Sequence, residues 1–349
     1  MAWSPPNKYV WDSWFAWRDA ELHAFYLQAD KLACGFDPEA RHNLASVGHA
    51  VWSAHGWQEC REALAPANNG GWDNLAIWTG SIIKGAGQTA HDQPYHLFYT
   101  SRSKEHEPIW TPSEWQRPQH IGVAVSDDLW HWQRTPATQR APVIPNPGQR
   151  FGLDGVAWRD PYVLRLNEKQ YAALICARLQ PNGASFDAGD TGGVIAYVTS
   201  PDLQRWDATP QLIATPREFY QMEVPQIFWR EFVDGVRCYL LFCAQERDCS
   251  PERKARGLAC ATGTYYLQSA LLPHGLPRGE TRIPAFLSSA QLLAAGLYGG
   301  KLLKPETDEA PVLLGFPWAD AAGQFIGGIS DPLRVRFDAD GMIQVKNEK

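Results

Sequence analysis

Three carboxylates in this sequence lie beside strand-forming apolar runs, where surface charges are uncommon: Asp12, Asp160 and Glu223. They stand 148 and 63 residues apart along the chain. Such a set can cleave a glycosidic bond, because one carboxylate attacks the anomeric carbon while a carboxylic acid protonates the leaving oxygen. The acid needs a pKa raised by burial and by nearby negative charge, and a third carboxylate can hold sugar hydroxyls. Because each acid alone could equally belong to a structural ion pair, the elements that position them decide between the two interpretations.

Asp160 stands directly before Pro161, in residues 158–164 (WRDPYVL). Proline fixes its own φ and disfavours the α region for the preceding residue. We therefore expect Asp160 to be extended, at the mouth of a strand, with its side chain held in one direction. An Asp-Pro pair also starts many turns, so a surface turn is the alternative for this stretch taken alone. Asp12 lies in an aromatic strand, residues 9–16 (YVWDSWFA), where a carboxylate is poorly hydrated unless it serves a purpose or the strand is an edge strand.

Strand-like segments with turn residues between them recur along the chain. Two of them lead into the same pattern, Ser-x-Asp-Leu-x-x-Trp, at residues 126–132 and 200–206, an interval of 74 residues. Residues 48–57 resemble a degenerate earlier copy. A unit of a few strands repeated in this way is typical of radial repetition. The pattern predicts an all-β, five-bladed β-propeller that fills residues 1–349 as a single domain, with blades of roughly 65–75 residues.

A propeller would bring the three acids together, because the first strands of its blades converge on one central funnel. Residues that are far apart in sequence can therefore share that funnel. The exception to the strand pattern is one short helix, predicted at about residues 288–295 and closed by Gly296.

The composition favours a neutral ligand over a polyanion. The net charge is −6, the pI is near 5.9, and no Lys/Arg cluster stands out, which argues against nucleic acid and anionic membranes as partners. Sixteen Trp, 29 Gly and 26 Pro suit a β-rich, turn-rich fold. Indole faces also stack on sugar rings, although most Trp residues in such a protein pack in its interior. A small-molecule or oligosaccharide substrate is the expected partner, and the oligomeric state stays open.

The cysteine spacing and the N-terminal residues show no pattern of a metal site or of a targeting segment. Seven cysteines contain no C-x-x-C pair, so no zinc site is signalled, and no metal or other cofactor is expected. The N-terminal residues have no basic and apolar regions of a signal peptide, and no run of 18 apolar residues predicts a membrane span. We therefore expect a cytoplasmic location.

The order of several short motifs resembles that of the β-fructofuranosidase/levansucrase clan, glycoside hydrolase families 32 and 68. Residues 11–14 (WDSW) resemble the clan's nucleophile motif in its levansucrase form, and Arg159-Asp160-Pro161 resembles its Arg-Asp-Pro motif. Met222-Glu223-Val224-Pro225 is similar to its Glu-Cys-Pro motif. The other matches are the strand after the nucleophile, the aromatic-Ser-Gly-Ser motif, the blade signature and a late Gly-Trp segment, at residues 23–28, 78–81, 126–132 and 315–318. Together they extend from about residue 9 to residue 335.

This resemblance implies a five-bladed propeller that cleaves β-fructosides with retention of configuration, through a double displacement that needs no metal. It implies that Asp12 is the nucleophile, Glu223 the general acid/base and Asp160 a stabiliser of the transition state. Arg159 would orient these acids and contact the sugar. The fructosyl subsite would be lined by Trp11, Gln28, Trp78 and Thr79.

The chain departs from the clan's best-known branches in several places. Thr79 replaces the usual Ser, Val224 replaces the Cys of the invertase motif, and the Asn-Asp-Pro-Asn form is absent. No appended β-sandwich is expected, because the propeller uses the whole chain. Sucrose and β-fructans, hydrolysis and fructosyl transfer, and endo and exo cleavage all remain open. The alternatives are a family 43-type arabinanase or xylosidase, against which residues 11–14 and 78–81 argue, and a non-catalytic sugar-binding propeller.

Overall fold

The structure, a computed structural model, describes residues 2–68, 70–85, 94–110, 115–180, 192–214, 216–274, 283–286, 289–307 and 310–346. In these residues the chain forms five four-stranded antiparallel sheets and one two-stranded hairpin. The helices in these residues are short: α1 (Pro136–Arg140), α2 (Pro251–Ala255) and three 3-10 helices at Pro38–Asn43, Arg150–Gly152 and Glu246–Asp248. None of the helices described is long and apolar enough to cross a membrane.

Each sheet is built from consecutive segments of the chain. The first blade contains β1 (Lys8–Arg18), β2 (Glu21–Asp30), β3 (Ser46–Ser53) and β4 (Gly56–Glu59). The second contains β5 (Ala76–Lys84), β6 (Tyr95–Arg102), β9 (His120–Ser126) and β10 (Gln133–Arg134), and the hairpin of β7 (Ile109–Trp110) and β8 (Trp115–Gln116) extends from it. The third contains β11 (Leu153–Asn167), β12 (Gln170–Leu179), β13 (Gly193–Ser200) and β14 (Gln211–Ala214).

The last two blades follow the same scheme. The fourth contains β15 (Glu223–Phe232), β16 (Gly235–Ala244), β17 (Gly263–Gln268) and β18 (Gln291–Ala295). The fifth contains β19 (Leu297–Leu303), β20 (Val312–Pro317), β21 (Leu333–Phe337) and β22 (Ile343–Val345). The first strands contact one another in the cyclic order β1, β5, β11, β15, β19 and back to β1. The all-β, five-bladed propeller predicted from the sequence is therefore confirmed.

The ring closes between the first and last blades. The backbone of Trp3 exchanges two hydrogen bonds of 2.8 Å with Ile329, and the amide of Gly328 donates to the carbonyl of Val10 at 2.7 Å. The hydrophobic interior is divided into five clusters that lie between adjacent blades. Aromatic side chains fill these wedges, which fits the high aromatic content and the expectation that most Trp residues pack inside.

Two local predictions have different outcomes. The repeated Ser-x-Asp-Leu-x-x-Trp segments follow β9 and β13, the third strands of their blades, as a propeller repeat requires. The helix predicted over residues 288–295 is wrong, because Gln291–Ala295 is strand β18, paired with β17. Its Leu and Ala residues have high helix propensity, but hydrogen bonds to the neighbouring strand override that weak preference. Gly296, with φ of 73°, begins the turn into β19.

Candidate active site

All five innermost strands carry a β-bulge. The register shifts lie between Trp11 and Ser13 in β1, Trp78 and Gly80 in β5, Arg159 and Tyr162 in β11, Glu223 and Gln226 in β15, and Tyr298 and Lys301 in β19. A bulge leaves a residue out of the ladder and turns its side chain away from the strand's alternation. The residues at these bulges contact one another across blade boundaries, so they form one ring around the propeller axis.

The bulge corrects the conformation predicted for Asp160. The residue is left-handed, with φ of 56°, and is neither extended nor part of a surface turn, since it is 5% exposed within β11. Hydrogen bonds from two other blades hold this conformation. The Asp160 amide donates to Thr100 Oγ1 at 2.8 Å, and the Val224 amide donates to Asp160 Oδ2 at 3.1 Å. These contacts offset the local preference that proline imposes on its predecessor.

Asp12 lies at the bulge of β1 with φ of 38°. The Thr79 hydroxyl donates a hydrogen bond to its Oδ2 atom. On the other side, a Cβ on Gly299 would stand 3.1 Å from Asp12 Oδ1, so glycine there leaves room beside that oxygen. Burial raises the pKa of Asp12 to about 6, with a further increase from the charge of Glu223, while the Thr79 hydrogen bond, Lys301 and Arg41 act in the opposite direction.

The pKa of the Asp160 carboxyl group is raised as well. Burial raises its pKa to about 7, and the charges of Glu223 and Asp12 raise it further. The Arg159 guanidinium opposes these effects, with its Nε atom 3.7 Å from Asp160 Oδ2, as does the hydrogen bond from the Val224 amide. Asp160 therefore holds or loses its proton near neutral pH according to the charge of its neighbours.

Glu223 forms an ion pair with Arg159 and is the more exposed of the two. Its side chain is 20% exposed, whereas that of Arg159 is 5% exposed. Arg159 Nη2 donates to Glu223 Oε1 at 2.8 Å, and the Tyr298 hydroxyl donates to Glu223 Oε2. The guanidinium is fixed further by the side-chain oxygens of Gln119, at 3.2 Å, and Gln221. Both carboxylate oxygens thus have fixed positions, and the exposed fraction leaves one side open to a substrate.

Lys301 is a buried cation that binds the backbone at the bulge of β15, the strand that carries Glu223. Its side chain is buried, and Nζ donates to the carbonyls of Val224 at 2.9 Å and Pro225 at 2.7 Å. Val224 is left-handed, with φ of 54°, so the lysine binds the strained part of β15. Burial lowers the pKa of Lys301 to about 8, while Cys243, Asp160 and Asp12 act to raise it.

The ring contains more negative than positive groups. Three carboxyl groups of the ring, Asp12, Asp160 and Glu223, lie beside two buried cations of the ring, Arg159 and Lys301, while the buried Arg41 acts on Asp12 more weakly than Lys301 does. Buried carboxylates that lack a matching cation keep a proton, because like charges at short range cannot all ionise. The ring therefore favours a state in which one carboxyl group is protonated while another is ionised. Acid and nucleophile chemistry require such a combination.

The structure brings together five of the eight predicted site residues: Asp12, Thr79, Arg159, Asp160 and Glu223. The other three lie on the first two blades. The Trp11 ring faces the Arg41 guanidinium at 5.3 Å, and the Trp78 ring faces Arg102 at 3.8 Å with its indole N–H on the carbonyl of His42. Gln28 donates to Ser46 and Glu62, both at 3.3 Å. Its hydrogen bonds stay within and beside the first blade, and its predicted contact with sugar stays a prediction.

Several residues of the ring have no counterpart in the sequence prediction. Tyr298 and Lys301 belong to β19, whose sequence Leu-Tyr-Gly-Gly-Lys contains two glycines and does not read as a strand. The available signal was topological: a fifth blade needs a fifth inner strand, and a Tyr and a Lys flanking a Gly pair at its bulge are the residues that would enter the funnel. Among the residues described, no group of three or more His, Cys, Asp or Glu side chains is arranged to hold a metal ion.

Comparisons with known proteins agree with this fold. The family model described as the glycosyl hydrolases family 32 N-terminal domain matches residues 22–302, more than half of the chain. A search of curated protein sequences finds no match.

Solved structures share the fold at low sequence identity. Fructan 1-exohydrolase IIa from Cichorium intybus has a TM-score of 0.67 and 16% identity, over 99% of this chain and 59% of that protein. Exo-inulinase from Aspergillus awamori has a TM-score of 0.64 and 15% identity, over 99% of this chain and 66% of that protein. Levansucrase from Gluconacetobacter diazotrophicus has a TM-score of 0.65 and 15% identity, over 98% of this chain and 81% of that protein. The chain thus spans less than two thirds of the length of the first two proteins.

Proposed function

Because the chain belongs to glycosyl hydrolase family 32, we propose that it cleaves the β-fructofuranosidic bond of sucrose or a β-fructan by a retaining, double-displacement mechanism. The observation that carries this proposal is the ring of charges around the propeller axis. In it, Asp12 is half-buried against a hydroxyl donor, and Glu223 is held between Arg159 and Tyr298 with one side accessible. We assign the role of nucleophile to Asp12 and the role of proton donor to Glu223.

In the first displacement, Asp12 attacks the anomeric carbon and forms an ester with the fructosyl group, while Glu223 transfers its proton to the glycosidic oxygen. The leaving sugar departs as an alcohol. In the second displacement, Glu223 removes a proton from an incoming hydroxyl, whose oxygen attacks the same carbon and releases the Asp12 carboxylate. Water as the acceptor gives hydrolysis, and a sugar hydroxyl gives fructosyl transfer.

The remaining residues support these steps. The Thr79 hydroxyl fixes Oδ2 of Asp12, and Gly299 leaves space beside Oδ1 for the attack. We propose that Asp160 and Arg159 hold fructosyl hydroxyls while positive charge develops on the ring. Trp11 and Trp78 would form the wall of the fructosyl subsite, with Gln28 toward its edge.

The direct test removes each reactive group without changing its shape. Asp12→Asn and Glu223→Gln should each lower sucrose turnover by about 10³-fold or more, since both displacements depend on them. Circular dichroism and the thermal transition should show that both variants fold. Wild-type-like activity in either folded variant would overturn the assignment.

Three further measurements separate the alternatives. The ratio of glucose to free fructose released from sucrose distinguishes hydrolysis, which gives about equal amounts, from transfer, which leaves an excess of glucose. A crystal structure should place the Asp12 and Glu223 carboxyl groups roughly 5–5.5 Å apart for a retaining enzyme, whereas about 7–9 Å indicates inversion. Cleavage of chromogenic arabinosides or xylosides in place of fructosides would favour the family 43-type alternative.

A further inference from the structure

Cys243 is a buried thiol beside the ring of charged residues, and neither displacement uses it. It lies on β16, opposite Glu223 on β15 and Thr264 on β17 in the register of the fourth blade. Directly opposite residues of antiparallel strands have their side chains on the same face of the sheet. Glu223, Cys243 and Thr264 therefore form one row, and each of them accepts from or donates to a residue of β19 in the fifth blade.

Cys243 and Thr264 bind the backbone of the β19 bulge. The Gly299 amide donates to Cys243 Sγ at 3.1 Å, and the Thr264 hydroxyl donates to the carbonyl of Leu297 at 2.7 Å. Cys243 Sγ also lies 3.7 Å from Thr264 Oγ1. Because the single proton of the Thr264 hydroxyl goes to Leu297, the thiol is the donor in this contact. The four groups form a chain of hydrogen bonds that begins and ends in β19.

This chain replaces ladder hydrogen bonds that the bulge interrupts. The strand β19 pairs with the described residues of β20 at Tyr298 and at Lys301, and the register shift between them leaves Gly299 and Gly300 outside the ladder. Cys243 is 0% exposed, so water cannot take over the contact to the Gly299 amide. A buried amide without an acceptor is costly, and the thiol is the group that supplies the acceptor here.

The backbone held in this way carries groups next to both reactive carboxylates. Tyr298, whose hydroxyl donates to Glu223, directly precedes the Gly299 amide. Gly299 is left-handed, with φ of 62°, and a Cβ on it would stand 3.1 Å from Asp12 Oδ1. A rotation of the peptide between Tyr298 and Gly299 would therefore change the hydrogen bond to Glu223 and the room beside Asp12 together.

The thiol takes part in the chain as a neutral group. Burial raises the pKa of Cys243 to about 12, so the side chain stays protonated at neutral pH. A neutral thiol can accept from an amide and donate to a hydroxyl at the same time. A nucleophilic cysteine would need to be a thiolate, so Cys243 acts on the reaction only through the residues that it holds.

We propose that Cys243 is a positioning residue which, together with Thr264, fixes the β19 bulge of the active site. Through that bulge it sets the place of the Tyr298 hydroxyl at Glu223 and the room beside the attacking oxygen of Asp12. The inference rests on the proposed fructosidase function and adds to it a buried side chain that controls the rate without touching the sugar.

The test removes the hydrogen bonds of the thiol and then restores them. Cys243→Ala should lower kcat on sucrose about tenfold, because small displacements of reacting groups are costly. KM should stay within about twofold, since Trp11 and Trp78, the predicted wall of the fructosyl subsite, lie on the first two blades. Cys243→Ser keeps an acceptor and a donor and should recover kcat to within about threefold of the wild type.

Cys238→Ala is the matched control. Cys238 lies on the same strand, is also 0% exposed and packs within a hydrophobic cluster. Both alanine variants should lower the thermal transition to a similar extent, whereas Cys238→Ala should keep kcat within about twofold of the wild type. Thr264 gives a second pair of variants. Thr264→Val keeps the shape without the hydroxyl and should lower kcat as Cys243→Ala does, whereas Thr264→Ser should not.

The outcomes separate the inference from the proposed function. Wild-type kcat in Cys243→Ala, an equal loss in Cys238→Ala, or a Cys243→Ser variant as slow as Cys243→Ala would overturn the inference, while sucrose turnover by the wild type upholds the proposed function. If Cys243→Ala does not fold, the two Thr264 variants decide in the same way. Absence of turnover by the wild type would instead overturn the proposed function. The inference would then be decided by a crystal structure of Cys243→Ala, in which an unmoved Tyr298–Gly299 peptide would contradict it.

Discussion

Two pairs of aspartates in this propeller have the same side chain and opposite acid–base behaviour. Asp128 and Asp202 lie in the repeated turns at the outside of the second and third blades, whereas Asp12 and Asp160 lie at bulges around the axis. Backbone irregularity does not distinguish them. Leu129 and Leu203, the residues after the outer aspartates, are left-handed with φ of 66° and 64°, as the axial aspartates themselves are.

The difference lies in the number of donors that each carboxylate receives. Asp128 Oδ1 accepts from the amides of Trp130 and His131, both at 2.8 Å, and also from the Ser126 hydroxyl at 3.0 Å. Burial alone would raise the pKa of Asp128, but the hydrogen bonds from His131, Trp130 and Ser126 outweigh it and hold the pKa well below its usual range.

The same balance lowers the pKa of Asp202, with amides of Arg205 and Gln204 as donors. By contrast, Asp12 receives one hydroxyl and Asp160 one amide in a more buried place. The outer turns therefore stabilise their charges, while the axis keeps its carboxyl groups underpaired and available for a substrate. Functional sites commonly depart in this way from what stability alone would favour.

The comparison predicts a large difference in activity between the two sets. Asp160→Asn should lower kcat/KM by about 10²-fold or more, because the amide cannot provide the negative charge that steadies a positively charged sugar ring. Asp202→Asn makes the same chemical change outside the axis and should leave kcat/KM within about twofold of the wild type. Steady-state rates on sucrose measure both. Equal effects of the two substitutions would remove the distinction between the axis and the outer turns.

Lys301 gives a second test, because it is a buried cation that the axis has and the outer turns lack. The groups facing its ammonium are Asp12 on β1, Asp160 on β11 and Cys243 on β16, together with the Tyr162 ring at 5.4 Å. Removing the charge in Lys301→Met should raise the pKa of both aspartates. The acidic limb of the pH profile of kcat/KM should then move to higher pH, and activity at pH 6 should fall about tenfold or more.

A shift in the pH profile distinguishes this electrostatic role from mere support of the bulge. Lys301→Arg keeps the charge and should restore the position of the acidic limb, even where altered packing lowers the maximal rate. A uniform loss of activity in Lys301→Met, with the limb unmoved, would mean that the lysine serves only to bind the Val224 and Pro225 carbonyls.

The outer turns were predictable from the sequence because their contacts are local. In Ser-x-Asp-Leu-x-x-Trp, the aspartate accepts amides two and three residues ahead, so a short pattern specifies the whole turn. The number of blades follows from counting the strand-like segments at four strands to a blade. The identities of Asp12, Asp160 and Glu223 were also within reach, since a carboxylate beside an apolar strand is conspicuous in any sequence.

The axial conformations depended on distant partners and were not predictable in the same way. Asp160 is left-handed because it is hydrogen-bonded to Thr100 and Val224, which lie 60 and 64 residues away in the sequence. The conformational preference of a residue before proline depends only on its neighbours in the chain, so it could not predict these contacts. Tyr298 and Lys301 were missed because Gly299 and Gly300 have low β-propensity, so the segment that carries them does not resemble a strand in the sequence. Both glycines are required by proximity, since a Cβ on Gly300 would lie 2.4 Å from the Thr264 hydroxyl oxygen.

The smallest expected effects concern stability, and here the two sets should respond to pH with opposite signs. The folded protein raises the pKa of Asp12 from 3.8 to about 6, so the native state binds its proton more tightly than the unfolded chain does. Ionising this group therefore costs stability as the pH rises from about 4 to 6. Asp12→Asn, which cannot ionise, should be more stable than the wild type above pH 6 by about 1–3 kcal/mol, with the difference fading toward pH 4.

For Asp128 the sign reverses. Its pKa is lowered on folding, so its charge contributes stability at pH values above about 4, and this contribution is lost as the pH falls further. Asp128→Asn should therefore be less stable than the wild type at pH 7 by about 1 kcal/mol, and the deficit should shrink in acid. Chemical denaturation measures the two slopes, at pH 4 and pH 7 for Asp12→Asn and at pH 7 and a pH of about 2–3 for Asp128→Asn, because the two contributions change in different pH ranges. If Asp12→Asn lost stability at pH 7 to the same extent as Asp128→Asn, the carboxylates at the axis would be structural ion pairs like those outside. Their underpaired state would then be no sign of a site prepared for a substrate.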